Sequence, residues 1–538
     1  MFFFSDHHIL LTILFTPLAG ALVLLFVPGI RADLQRKIAN CFGMLGFAVS
    51  LPLWWKFKSN SAEPFQFVSD ANWIPSLDVH FRLGIDGISL LMVMLATLLG
   101  AIAILSSWSA VKQREKEYYI LLLLAQASLL VVFMSLDFVL FYVFWEAMLV
   151  PVYFLMAAWG REGGPRAALK FVLYTVAGSV VMLLAILAVY HARGTFDMRA
   201  ILIHPFDAQS GHLQNWLFWG FFFAFAIKVP MFPFHTWLAD ALSEAPTGLA
   251  VMLAGVLLKT GTYGFMRISV AMFPNAALQY RSVMITLSLI AILYGALICL
   301  AQQDMNRLIA YSSVSQMGFC TLGIFLLSPV GFYGSAILQV SLGLTTGGLL
   351  VIAGILYERR QTNVISEFGG LASSMPKLAV TYLIITFAAL GMPLLSGFVG
   401  EFSILRGAFD RHWPIAACAL LAVILGAAYL LWLYGRVMLG GAASGANENL
   451  PDLNRRELAA LLILIIFSAW IGVYPAPLFR VLRQPIEQIV NPIEQLVSAS
   501  RTGHHSDALG SASPPMFPNA NISSITAPGN AAATDGAK

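Results

Sequence analysis

Long apolar segments recur through this 538-residue chain, and their length constrains the fold more than any other feature. A run of about 20 apolar residues crosses the hydrocarbon core of a bilayer as a helix. Within lipid, only helices and closed barrels satisfy their own backbone polar groups. The pattern therefore predicts an all-α polytopic membrane protein with about 14 transmembrane helices, near residues 9–28, 36–57, 85–107, 117–135, 138–158, 168–190, 215–238, 247–269, 282–301, 307–327, 331–356, 377–408, 414–438 and 457–475.

Composition excludes several classes of function. Hydrophobic residues make up 59% of the chain and charged residues only 11%, and the mean hydropathy is +0.79. The net charge of +4 is spread along the loops, so no basic surface for nucleic acid is expected. The four cysteines are isolated from one another, which excludes a CxxC redox pair, and they are interpreted as small core residues: Cys41, Cys299, Cys320 and Cys418.

Lysine and arginine are concentrated in the odd-numbered loops, for example Arg31, Arg36 and Lys37 after the first segment. Such loops stay in the cytoplasm, so an even number of helices places both termini outside. Residues 495–538 are rich in Ser, Ala, Gly, Pro and Asn and are predicted to form a flexible tail.

Four ionisable residues interrupt apolar segments near the middle of the membrane: Glu146, Lys228, Lys259 and Glu401. A charge at the bilayer centre costs about 3 kcal/mol even on lenient scales, so each must pair, hydrate or carry protons. Structural ion pairs between helices are one alternative, and for Lys228 a second alternative is a side chain that reaches the headgroups. Because a nearby carboxylate favours the charged form of a buried lysine, two acids and two lysines fit a proton relay better.

Prolines break two of the predicted helices at matching places. Pro230 and Pro233 follow Lys228 in the seventh segment, and Pro393 interrupts the twelfth, where the break is expected to run as far as Glu401. Broken helices at corresponding positions indicate internal repeats around a central pathway. Because the two breaks are five helices apart, an odd number, the repeats are predicted to be inverted. The predicted organisation is three N-terminal helices in 1–116, a first repeat in 117–269, a second repeat in 282–438 and a last helix in 457–475.

A polar cluster is expected at the cytoplasmic end of the seventh segment, formed by His235, Asp240 and Glu244. Asp240 and Glu244 are four residues apart and share one face if the helix continues. One histidine and two carboxylates near water more often orient a loop or feed protons than bind a metal ion. The cluster is therefore interpreted as an auxiliary site of proton uptake, and no metal site is predicted.

Several strings of the sequence resemble one family, the antiporter-like chain M of proton-pumping NADH-quinone oxidoreductase, respiratory complex I. They are GIDGISLLM (84–92), FYVFWEAMLVPVY (141–153), KVPMFPFHTWLADALSEAPT (228–247), LLKTGTYGFMR (257–267), QDMNRLIAYSSVSQMGF (303–319), GFVGEF (397–402) and DLNRRE (452–457). The resemblance covers about 84–474. It implies a 14-helix fold with inverted five-helix repeats, acting as a distal proton channel in a bacterial plasma membrane.

The resemblance also implies roles and partners. Glu146 would modulate Lys228, Lys228 would pass a proton to Lys259, and Glu401 would release it outside. The chain would bind no cofactor itself, since NADH, FMN, the iron–sulfur clusters and quinone would belong to other subunits. Its partners would be other membrane-arm subunits, including neighbouring antiporter-like chains, and the lipid bilayer.

The chain departs from the family pattern where histidines are usual, with Leu242, Gln316 and Leu342 instead. Glutamine can orient water but cannot titrate, and leucine does neither. Two explanations are open. In the first, water molecules and hydroxyl groups such as those of Ser341 and Thr345 bridge Lys259 to Glu401; in the second, the chain is a divergent paralogue with altered conduction. The first is favoured because all four charged residues remain.

Three other classes of function compete with the pump subunit. A subunit of a multisubunit Na⁺/H⁺ antiporter or of a membrane-bound hydrogenase complex would share much of the charged core. A self-sufficient transporter of an organic substrate would need a further polar site between helices, which the sequence does not indicate. A purely structural scaffold would not keep four charges near the midplane.

Overall fold

The computed structural model describes residues 8–29, 31–206, 210–441 and 445–510. The chain divides into two units, Met1–Ile493 and Glu494–Lys538. All of the membrane-spanning helices given below belong to the first unit. Of the second unit, the structure describes the end of one helix, as far as Gly510.

The described residues form fourteen spans of the membrane region, and twelve of these are helices long and apolar enough to cross a membrane. The seventh and twelfth spans are each split into two shorter helices, as predicted. In chain order, spans 1 to 14 are Ile9–Phe26, Ala32–Lys56, Gly87–Ser106, Glu115–Met134, Phe138–Trp159, Gly164–Arg193, Gly211–Lys228 with Thr236–Glu244, Thr247–Val270, Arg281–Ala301, Met305–Phe325, Pro329–Arg360, Pro376–Ala389 with Ser396–Arg411, Trp413–Met438 and Arg455–Val473. The predicted all-α fold with broken helices 7 and 12 is confirmed.

A β-hairpin and a long helix, both outside the spans, were not predicted from the sequence. Strands Gln66–Ile74 and Val79–Ile85 form an antiparallel hairpin between spans 2 and 3. Helix Ala476–Gly510 follows span 14; its many polar residues and two internal prolines hid it from a search for apolar segments. The tail predicted for 495–538 begins inside this helix, and residues 511–538 lie outside the described part of the chain.

Short helices and 3₁₀ turns complete the connections between the spans. They cover Pro75–Leu77, Met198–Ile203, Pro274–Gln279, Ile365–Glu367, Leu371–Ser374 and Gly445–Asn447.

Matching turns support the pairing of the two halves. The Asp137 carboxylate caps the start of span 5, and its backbone pairs with Asp197 beyond span 6. Asp304 caps span 10 in the same way and pairs with Val364 beyond span 11, so each partner lies 60 residues further along the chain. Because successive spans alternate in direction, the two turns lie at opposite ends of the bundle. This is the relation that inverted repeats require.

A charged network joins the hairpin to the turn after span 6. Asp70 forms hydrogen bonds with the His80 ring at 2.7 Å and with Arg82 Nε at 2.5 Å, and Arg82 also pairs with Asp197 at 2.7 Å. Burial alone would raise the pKa of Asp70, but the bonds from Arg82 and His80 outweigh it and hold the pKa below its usual range. The ionised carboxylate therefore stabilises the hairpin.

We expect this stabilisation to be lost in acid. Since the pKa of Asp70 is lower in the folded chain, its contribution is complete above the unfolded pKa of about 4 and disappears as pH falls through the folded value. Hydrogen exchange of the hairpin amides, corrected for the intrinsic pH dependence, should show weaker protection below that point. In Asp70→Asn the protection should be weaker at neutral pH and its acid-dependent part should vanish. An unchanged acid dependence in that variant would contradict the assignment.

Candidate functional site

Lys228 is the last residue of the first half of span 7 and is fully buried. Its ammonium group has no hydrogen-bond partner among the described residues. It lies 5.0 Å from the ring centroid of Trp145 and 5.7 Å from that of Phe171, so only aromatic faces replace part of its hydration. The ammonium group of Lys228 is therefore buried without a salt bridge or hydrogen bond from the described residues.

Two hydrogen bonds satisfy backbone carbonyl groups at the break after Lys228. Pro230 and Pro233 lie in the break and lack backbone N–H groups. The Trp237 indole N–H donates to the Ile227 carbonyl at 2.9 Å, and Met231 N–H donates to the Ala226 carbonyl at 2.9 Å. Carbonyl groups freed by the broken helix are therefore satisfied inside the protein, as lipid requires.

Glu146 lies on span 5 at a local disruption of the helix. Pro151 cannot donate to the Ala147 carbonyl, and the regular helix is interrupted at Met148 between Phe138–Ala147 and Leu149–Trp159. Glu146 Oε1 is buried without a hydrogen-bond partner, although the residue as a whole is only half-buried. Glu146 Oε1 and Lys228 Nζ are thus two buried polar atoms without hydrogen-bond partners among the described residues.

Lys259 lies on span 8 between two π-helical segments, Leu253–Leu257 and Phe265–Val270. Its side chain is 1% exposed, and Nζ donates to the Ala254 carbonyl at 2.5 Å. A Cβ atom at Gly261 would approach the Phe225 carbonyl to 2.7 Å, so span 8 packs closely on the end of the first half of span 7. π-helical turns such as those on either side of Lys259 are rare and are frequently found at functional sites.

Glu401 lies in the second half of span 12, and its position corrects one expectation. The break comprises residues 390–395 and ends before Ser396, so it does not extend to Glu401 as predicted. Pro393 and Gly391 lie in the break. Gly391 has a φ of +70°, and a Cβ atom there would lie 2.3 Å from Glu401 Oε2. Glu401 is 5% exposed, and its carboxylate lies against the unwound backbone at Gly391.

The three predicted uptake residues do not form one cluster. Asp240 pairs with Lys170 at 2.7 Å and with Arg307 at 3.1 Å, which joins spans 6 and 10 at the end of the bundle opposite the hairpin. Glu244 accepts a hydrogen bond from Gly163 N–H at the start of span 6, at 3.0 Å. These contacts hold helix ends together.

His235 lies just before the second half of span 7 and is 2% exposed. Its ring stacks on Phe232 and meets Tyr294 edge-on at 5.0 Å between centroids. Of the three uptake residues, this one faces the interior.

The hydroxyl groups proposed to bridge the second half form a chain of their own. Ser341 Oγ lies 2.8 Å from Ser396 Oγ, and Ser396 Oγ lies 2.8 Å from Ser468 Oγ on span 14. Thr345 donates to the Ser341 carbonyl at 3.0 Å. This chain joins span 11 to the start of the second half of span 12, one turn before Glu401.

One feature of the interior escaped the sequence analysis. Arg267 and Asp86 form a buried ion pair at 2.6 Å near the hairpin.

The prediction that all four cysteines are small core residues is only partly correct. Cys299 and Cys320 are buried, whereas Cys41 and Cys418 are exposed.

The amino-acid sequence is similar to those of known membrane proteins. Residues 135–426 match the family described as NADH:quinone oxidoreductase/Mrp antiporter, TM. NADH-ubiquinone oxidoreductase chain 4 of Arabidopsis thaliana is 42% identical over 88% of this chain and 95% of its own length. NADH-quinone oxidoreductase subunit M of Rhodobacter capsulatus is 42% identical over 87% of this chain and 94% of its own length.

Solved structures share the fold. A chain in respiratory complex I from Thermus thermophilus with bound NADH aligns with a TM-score of 0.82 and 33% identity, over 90% of this chain and 99% of that one. A chain of the Mrp complex from Dietzia sp. DQ12-45-1b aligns with a TM-score of 0.79 and 23% identity, over 89% of this chain and 52% of that one.

Fourteen spans, two broken helices and buried charges beside them define an antiporter-like membrane protein. With the family match and these relatives, the chain belongs to the NADH:quinone oxidoreductase/Mrp antiporter family.

We expect Gly391→Ala to destabilise the folded protein strongly, although the substitution adds only one methyl group. The added Cβ atom would meet Glu401 Oε2 in a left-handed backbone conformation, at a cost of about 1–3 kcal/mol. Gly435→Ala is the matched control, because nothing lies within 4 Å of its Cβ position on the helix of span 13. Thermal unfolding in detergent should show a lower Tm for the first variant and an equal or higher Tm for the second. Equal losses in both would contradict the proposed contact.

Proposed function

We propose that this chain is a proton-translocating subunit in the membrane arm of a proton-pumping NADH-quinone oxidoreductase. The observation that carries the proposal is the unpartnered, fully buried Lys228 ammonium group beside Glu146 at a helix break. The names of the similar proteins from Arabidopsis and Rhodobacter support the complex to which it would belong. Its location would be a bacterial plasma membrane, with both termini outside.

The Glu146–Lys228 pair would act as the switch of the first half. With Glu146 charged and near, the protonated form of Lys228 is favoured. When the carboxylate moves away or is neutralised, burial favours loss of the proton. Both residues lie beside helix disruptions, so small changes at span 5 or span 7 can alter their separation. His235, buried on the side opposite the hairpin, is the proposed uptake group.

Lys259 and Glu401 would complete the relay. Lys259 receives the proton from Lys228, because span 8 packs on the end of the first half of span 7 at Gly261. Glu401 would release it on the hairpin side, toward which the second half of span 12 runs. Asp240 and Glu244 would serve the relay indirectly by fixing the helix ends around His235.

The chain would work as a translocase subunit without a redox site of its own. Electron transfer from NADH to quinone through FMN and iron–sulfur clusters would take place in partner subunits. Neighbouring membrane-arm subunits would transmit the driving force through the bilayer-embedded helices.

We expect Glu146→Gln and Lys228→Ala each to lower NADH-driven proton pumping on the order of tenfold or more, because each removes a titrating group of the relay. Acidification of inverted membrane vesicles measures the effect. Glu162→Gln and Lys377→Ala are matched controls at exposed positions and should pump normally. Near-normal pumping by both relay variants would refute the relay.

The alternative function is that of a subunit of a multisubunit Na⁺/H⁺ antiporter, which the shared fold with the Mrp complex keeps open. Purification of the tagged chain in mild detergent separates the two. We expect flavin and iron–sulfur subunits to co-purify and NADH:quinone activity to be retained. A redox-free complex that exchanges Na⁺ for H⁺ would establish the antiporter instead.

A further inference from the structure

The Lys228 ammonium group lies beside two aromatic rings. Nζ is 5.0 Å from the ring centroid of Trp145 on span 5 and 5.7 Å from that of Phe171 on span 6. Both distances are within the range of about 6 Å over which the face of an aromatic ring attracts a cation. All three residues are fully buried, so bulk water does not weaken this attraction.

The end of the half-helix does not bind the ammonium group itself. The carbonyl groups of the three preceding residues already accept hydrogen bonds, Phe225 from Val229 N–H at 2.8 Å, Ala226 from Met231 N–H at 2.9 Å and Ile227 from the Trp237 indole at 2.9 Å. Lys228 Nζ has no hydrogen-bond partner among the described residues. The two ring faces are therefore the electron-rich groups that the structure places beside this cation.

Packing fixes the orientation of the Trp145 ring. Phe141, one turn earlier on span 5, packs on it at 5.4 Å between centroids, and Phe225 meets it in an edge-to-face arrangement at 5.6 Å. The indole N–H is buried and has no hydrogen-bond partner among the described residues, although a buried indole usually finds one. The ring is thus held beside Lys228 by its aromatic neighbours and not by a hydrogen bond.

The Phe171 ring is tied to the backbone that carries the lysine. It packs on Trp237 at 5.1 Å between centroids. The indole of Trp237 in turn donates to the carbonyl group of Ile227, the residue before Lys228. Both rings therefore keep their places relative to the ammonium group.

An aromatic ring distinguishes the two forms of a lysine. Its face carries partial negative charge, which attracts an ammonium group and gives no such attraction to a neutral amine. The rings do not titrate, so their contribution is the same at every pH. The acidic and basic side chains nearest to these contacts along the packed elements do titrate or are paired: Glu146 on span 5, Lys170 on span 6, which pairs with Asp240, His235 in span 7 and Lys259 on span 8.

We propose that Trp145 and Phe171 form a cation–π site that holds Lys228 in its protonated form and sets how readily the proton is given up. This inference rests on the proposed relay and identifies two positioning residues of its first half. The site attracts the ammonium group while Lys228 carries the proton. Once the proton has passed on, the neutral amine is no longer attracted, so loading and release depend on the rings as well as on Glu146.

The test uses the intact complex in inverted membrane vesicles, with pumping per NADH oxidised measured across a series of pH values. Trp145→Leu removes the larger ring. Because the protonated lysine is then less stable, the loss of pumping at high pH should begin about one pH unit lower, which corresponds to about a tenfold weaker proton affinity. Phe171→Leu should shift the profile in the same direction by less, since its ring is farther from Nζ.

Two further variants separate the ring face from other effects. Trp145→Phe keeps a ring but loses the indole N–H, and its shift should be clearly smaller than that of Trp145→Leu. Phe138→Leu is the matched control. Phe138 is equally buried on span 5 and packs on Phe221 at 5.7 Å, but it lies two turns, about 10 Å of helix, from Trp145. Its pH profile should match that of the parent.

Failure of the inference can be told from failure of the relay. Unshifted profiles in Trp145→Leu and Phe171→Leu, with pumping lost in Lys228→Ala, would overturn the cation–π site and leave the relay standing. A shift in Trp145→Phe as large as in Trp145→Leu would assign the effect to the indole N–H, and an equal shift in Phe138→Leu would assign it to packing; either result overturns the proposal.

Two remaining outcomes are also decisive. If Trp145→Leu does not assemble, unshifted profiles in both Trp145→Phe and Phe171→Leu overturn the proposal. Normal pumping by Lys228→Ala and Glu146→Gln would overturn the relay itself, and the cation–π site with it.

Discussion

The backbone of a membrane-embedded helix finds no hydrogen-bond partners in lipid, and the interior of this protein is organised by that constraint. Wherever a span departs from regular helix, another part of the protein must satisfy the freed groups. The Trp237 indole does so for the Ile227 carbonyl in span 7.

All four charges are found beside such departures from regular helix. Glu146 comes just before a proline-induced interruption, Lys228 at the end of a half-helix, Lys259 between two π-helical segments, and Glu401 against a glycine with positive φ. Each charge is therefore placed where the regular hydrogen bonding of its span is interrupted.

The two halves of the bundle surround their buried charges differently. In the first half the Lys228 ammonium group lies near the rings of Trp145 and Phe171 and has no hydrogen-bond partner among the described residues. In the second half the Lys259 ammonium group donates to the Ala254 carbonyl, and the Glu401 carboxylate lies against the backbone at Gly391.

The sequence by itself determined the class of fold and the identity of the charged residues. Apolar length is a local property, so the spans were predicted to within a few residues, and a charge in an apolar segment is conspicuous without any structure. The breaks at Pro230 and Pro393 were also predicted from the sequence, because a proline removes a backbone hydrogen-bond donor in any context. The family strings added the assignment of roles, which remains a proposal.

Only the tertiary structure decided the rest. The hairpin, the π-helical turns around Lys259 and the buried pair of Arg267 with Asp86 depend on contacts between residues far apart in the chain. Such contacts leave no local periodicity in the sequence, since Asp86 and Arg267 are 181 positions apart. The sequence supplied the charges, and packing decided which groups surround each of them.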